Sequence, residues 1–153
     1  MMKLLDRAEV RRPSPELGEH TGRRARSWLV AWLGLPVLGV ANGALRDATY
    51  KQATGELAAH QLSTATLLAL MAAYLWALEG RWPIRTSREA FTIGGSWAVL
   101  TILFEFGFGH YVIGDAWSSL LRAYDLADGR VWAAVPLWTL VGPEVIRRLR
   151  ARR

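Results

Sequence analysis

The apolar residues of this chain fall into four long blocks, and their lengths constrain the fold more than any other feature. A hydrocarbon core of about 30 Å is crossed by about 20 helical residues. The first block runs Trp28–Leu45 and holds one strongly polar residue, Asn42. The second, Leu57–Leu78, has His60 and Gln61 near its start. The third, Phe91–Ile113, contains Glu105 and His110. The fourth, Val131–Ile146, is the shortest and is interrupted by Pro136 and Pro143; its alternative is an interfacial or re-entrant helix. Helices of a soluble bundle oppose a charged face to the apolar one. Segments such as LLALMAAYLWAL and SWAVLTILF are instead apolar on every side.

The expected fold is therefore all-α, an integral membrane four-helix bundle. Its spans are at about 28–45, 57–78, 91–113 and 131–146, within a transmembrane domain 28–146. A basic tail, 1–27, precedes it and a short basic tail, 147–153, follows. Trp28, Trp32, Trp76, Trp82, Trp117 and Trp132 stand near block ends, where interfacial aromatics belong. Between the third and fourth blocks, Trp117, Leu120, Leu121 and Tyr124 recur at helical spacing. This predicts a short amphipathic surface helix, with Asp115 as its N-cap.

The net charge is +6, which by itself would suggest nucleic acid. The basic residues flank the apolar blocks, however, so membrane orientation explains them better and no nucleic-acid partner is expected. If all four blocks span, the two tails and the loop between blocks two and three share one side. That side holds 15 Lys and Arg, and the other holds four: Arg46, Lys51, Arg122 and Arg130. By the positive-inside rule both termini are cytoplasmic. Arginine far outnumbers lysine, which points to a GC-rich bacterial source and hence a multi-pass inner-membrane location. With no cysteine, disulfides, thiolate metal sites and cysteine nucleophiles are excluded. No P-loop, G-x-S-x-G or H-E-x-x-H motif occurs.

Polar groups inside a bilayer face a bundle interior or a water-filled cavity. Here they concentrate toward one end of the blocks. Asn42 and Arg46 are one helical turn apart, as are Glu56 and His60; Gln61, Glu105, His110 and Tyr111 lie toward the same end. The leading expectation is an outward-facing polar pocket for a small ligand or ion, lined by Asn42, Arg46, Gln61, Glu105 and Tyr111. Glu105 would be its proton-responsive group. The alternative is a membrane-embedded metal or haem protein or enzyme. Glu56, His60, Glu105 and His110 would ligate a divalent metal, or the two histidines a haem. Glu105 and His110 are five residues apart and share a ligand only on a distorted helix, which Gly107 and Gly109 favour. A third reading is an accessory subunit of a larger membrane complex, its polar groups fixing helix register. Gly39 and Gly43 form a GxxxG that suits close helix approach in the bundle or in a homodimer.

Overall fold

A computed structural model describes residues 24–152. The basic tail lies outside the described residues up to residue 23, and residues 24–27 are already helical. The described chain is all helical, with no strand. Helix α1 covers Arg24–Ala48, with turn geometry at Trp32 and Leu33. That break has a cause: Pro36 donates no N–H to the Trp32 carbonyl, and its ring crowds that carbonyl. A single turn, α2 (Lys51–Thr54), leads through Gly55, at φ 81°, into α3 (Glu56–Arg81). Helix α4 (Ser87–Phe108) is capped by Thr86, whose side chain accepts from the Glu89 amide at 3.1 Å. It runs into a π-helical turn, Gly109–Ile113, so the helix is distorted where the glycines weaken it. The surface helix α5 is Trp117–Arg122 and α6 is Ala134–Ala151. The N-cap of α5 is Ala116, without a side-chain bond; the Asp115 carbonyl instead takes His110 Nδ1 at 2.9 Å.

Three helices, Arg24–Ala48, Glu56–Arg81 and Ser87–Ile113, are long and apolar enough to cross a membrane. Helix α6 is not among them. At most 28% of the most apolar stretch of each is buried within the chain. Val30, Val37, Val99 and Leu103 face outward at 58–68% exposure. Contiguous apolar surface of this extent is foreign to a water-soluble monomer and is compatible with a membrane protein.

The four long helices pack in an arc. Helix α1 lies chiefly on α3, α3 on α6, and α6 most closely on α4. The close approach of α4 and α6 depends on Gly94, where a Cβ would collide with the Leu140 carbonyl. Gly39 and Gly43 are not at such a contact, since a Cβ at either meets nothing within 4 Å. Helix α1 meets α4 near its N-terminal half. There Trp97 Nε1 donates to the Trp28 carbonyl at 2.9 Å and Trp32 Nε1 to Thr101 Oγ1 at 3.1 Å. Beyond its turn at Trp32 and Leu33 α1 makes few contacts with α4, and a cavity lies between them.

The two ends of the arc differ. At one, Glu144 is buried and accepts from Ser87, Arg147 and Arg148, while Glu79 is buried and pairs with Arg150 at 3.1 Å. Glu79 directly follows the second apolar block in sequence, and the structure buries it against α6. The other end holds the groups proposed for a site.

Candidate functional site

Two adjoining cavities occupy the second end, sharing Glu105 and Trp132 as a common wall. One, of about 270 Å³, is lined by Arg46, His60, Glu105, Tyr124 and Trp132, with Phe106 and Phe108. The other, of about 200 Å³, runs deeper among α1, α3, α4 and α6 and is mostly apolar.

Glu105 projects from α4 one turn before the π-helical segment. Tyr124 Oη donates to its Oε2, and the Trp132 indole N–H is a second donor. A carboxylate removed from water needs such donors. The Tyr124 phenol is held well above its usual pKa, by burial first and then by the adjacent Glu105 carboxylate, so it remains a donor. His60 lies on α3 with 9% of its surface exposed, its ring centroid 6.0 Å from that of Trp132. Its Nε2 is buried without a hydrogen-bond partner. Arg46, on the last turn of α1, holds Asp47 with a two-pronged contact, Nε to Oδ1 at 2.9 Å and Nη2 to Oδ2 at 3.2 Å.

Three of the residues singled out in the sequence, Arg46, His60 and Glu105, thus line one cavity. The others lie elsewhere. Asn42 is buried and donates to Ser63 O at 2.9 Å and Ser63 Oγ at 2.7 Å, which clamps α1 to α3. Gln61 donates to the Gly129 carbonyl at 2.9 Å, and Glu56 pairs with Arg130 at 3.6 Å. With the Tyr124–Glu105 bond, these contacts fasten the 114–133 connection over α3 and α4 as a wall of the cavity. Tyr111 is 79% exposed, with its ring edge-on to those of His110 and Trp117. His110 stacks on Trp117, with centroids 4.1 Å apart, and points Nδ1 at Asp115 O. The π-helical turn therefore directs His110 to its own connection and leaves Glu105 to Tyr124. Among the described residues no three His, Asp or Glu side chains gather as a metal-binding group.

Tyr124 and Trp132 were not read as site residues from the sequence. Tyr124 continues the apolar spacing of the surface helix, and Trp132 resembles the other block-end tryptophans. The available signal was chemical: Glu105 sits among phenylalanines and requires donors such as the ring O–H or N–H groups of the connection that follows, but Trp97, His110, Tyr111 and Trp117 are nearer in sequence, so spacing does not single out Tyr124 and Trp132. In comparisons with known proteins, no family model, curated protein or solved structure matches this chain.

Proposed function

We propose that this chain is a small bacterial inner-membrane protein of four spans, with both termini cytoplasmic. In this reading it binds or transports a small ligand through the cavity between Arg46, His60 and Glu105, which opens toward the outer face. The single observation that carries the reading is His60: a buried imidazole nitrogen without a partner, on the wall of a cavity that also presents Arg46 and Glu105. A buried polar atom left unpaired costs about 1–3 kcal/mol. A ligand atom in the cavity relieves that cost after a small turn of the ring about its soft terminal torsion. The count of 15 basic residues against four supports the orientation, and the outward-facing apolar side chains support the membrane setting.

The test is co-purification. Wild type and His60→Leu are purified in mild detergent, and the small molecules released on denaturation are compared by mass spectrometry. A compound retained by wild type is expected to fall by about tenfold in the variant, the equivalent of one lost hydrogen bond, with both proteins unfolding at similar temperatures. Identical small-molecule profiles for the two proteins would overturn the reading.

A further inference from the structure

The cavities that meet at Glu105 and Trp132 have walls of different kinds. The outer one presents Arg46, His60 and Tyr124. The deeper one is walled by Leu35, Val40, Leu67, Met71, Phe104 and Val135. Its two threonines are already engaged: Thr101 Oγ1 accepts from Trp32 at 3.1 Å, and Thr139 Oγ1 donates to the Pro136 carbonyl at 2.7 Å. The deeper cavity measures about 200 Å³. An apolar cavity of about 150 Å³ stays dry and takes up benzene, so this one has room for an alkyl or ring group. Together the two chambers fall within the ~300–1,000 Å³ typical of small-molecule sites.

We propose that the ligand is a neutral amphiphile with a single tail. Its hydroxyl or carbonyl head lies between Arg46, His60 and Glu105, and its tail lies in the deeper chamber. This rests on the outer cavity being a ligand site and adds the class of ligand. Neutrality follows from the charges already present. Arg46 is engaged by Asp47, and Arg130 by Glu56. The Glu105 carboxylate takes its hydrogen bonds from the neutral donors Tyr124 and Trp132, so an anionic head would face an uncompensated carboxylate. A cationic head would likewise unbalance the formal charges around the cavity, where Arg46, Lys51 and Arg130 match Asp47, Glu56 and Glu105. After the same ring turn a hydroxyl meets His60 Nε2 in either tautomer, and a carbonyl does so when Nε2 carries the proton; neither brings a charge. The route is lateral. Helix α1 makes few contacts with α4 beyond its turn at Trp32 and Leu33, and Val40, on the chamber wall, is 54% exposed.

The experiment uses the full chain in lipid nanodiscs with tritiated decanol as the probe, read by scintillation proximity. Unlabelled decanol, decanoate, decyltrimethylammonium and glycerol serve as competitors. Gly39→Phe is the decisive variant, because Gly39 lines the deeper chamber and a Cβ there meets no atom within 4 Å; an unchanged unfolding temperature checks that the ring occupies the chamber rather than displacing a helix. Saturable decanol binding is expected, abolished by Gly39→Phe and weakened about tenfold by His60→Leu. Decanol should compete better than either charged analogue. Stronger competition by decanoate or decyltrimethylammonium overturns the neutral head. Binding of glycerol that depends on His60 but is indifferent to Gly39→Phe overturns the tail chamber and leaves the outer ligand site standing. No His60-dependent binding of any probe, together with no His60-dependent compound on purification, removes both readings.

Discussion

Glu105 is shared by the two cavities of the candidate site, and its two donors come from a segment distant in sequence. Replacing Tyr124 by Phe keeps the ring, which stacks on Phe106 with centroids 5.9 Å apart, and removes the hydroxyl that donates to the carboxylate. Leaving a charged acceptor short of a partner costs about 1–3 kcal/mol. Tyr124→Phe is expected to lower unfolding stability by that amount, and Glu105→Gln combined with it should add little further loss, because the two side chains share one interaction. Chemical denaturation of the single and double variants in detergent checks this; full additivity would show that Tyr124 and Glu105 act independently. Burial of the phenol, and then its bond to Glu105, sets a pH dependence. The folded-state pKa of Tyr124 lies above its unfolded value, so its contribution is present below about pH 10, the unperturbed tyrosine value, and is lost as pH rises beyond it. Arg46, His60 and Glu105, which line one cavity, were legible as candidates because a polar side chain inside an apolar block has few other uses. Asn42, Gln61 and Glu56 looked equivalent on that criterion. What separates them is which partner comes within reach: for Gln61 and Glu56 that depends on the path of the 114–133 connection, and for Asn42 on where α1 meets Ser63 of α3.

At the scale of elements, hydropathy shows where the long helices lie but not how closely they pack. The first three blocks fall within helices that extend a few residues beyond them, and the glycine-weakened end of the third does become a π-helical turn. Close contacts are harder to read, because small residues are common in membrane helices and only some sit at a crossing. Gly94 and Gly95 are adjacent in sequence and differ completely in structure. A Cβ on Gly94 would collide with the Leu140 carbonyl, whereas one on Gly95 meets nothing within 4 Å. Gly94→Ala must therefore push α4 and α6 apart, at an expected cost of about 1–3 kcal/mol by overpacking. Gly95→Ala should be neutral or stabilising by up to about 1 kcal/mol, the helix-propensity difference between the two residues. The pair shares chemistry and helix, so comparing their unfolding midpoints isolates the crossing. Equal effects would place the α4–α6 contact elsewhere. The GxxxG of Gly39 and Gly43 shows the same ambiguity in reverse: it reads as a helix contact from sequence, yet within this chain it borders open space.

For the whole molecule, the decisive question is whether α6 crosses the bilayer as the other three long helices can. Its 18 residues reach about 27 Å at 1.5 Å per residue, but Arg147, Arg148 and Arg150 occupy the last turns. The stretch before them is short for a core of about 30 Å. Two features reconcile α6 with crossing. It is the helix most closely packed on α4 and also lies on α3, so much of its polar surface faces protein rather than lipid. Its arginines are paired or placed to reach the interface: Arg147 and Arg148 on Glu144 at 2.7 and 2.5 Å, and Arg150 on Glu79 at 3.1 Å, with its guanidinium 4.4 Å from the Trp76 ring. Long basic side chains near a helix end extend toward headgroups at modest cost, and a short span is also accommodated by local thinning. Four crossings put the C-terminal arginines on the same side as Arg81, Arg85 and Arg88; three crossings put them opposite. The absence of cysteine makes the test direct. Single variants Gln52→Cys, Arg85→Cys and Arg152→Cys are exposed to a membrane-impermeant maleimide in intact bacterial cells and after lysis. Gln52→Cys should label in intact cells, whereas Arg85→Cys and Arg152→Cys should label only after lysis. Labelling of Arg152→Cys from outside while Arg85→Cys stays protected would reduce the fold to three crossings with α6 re-entrant. Reversal of all three would invert the orientation and turn the cavity of Arg46, His60 and Glu105 toward the cytoplasm.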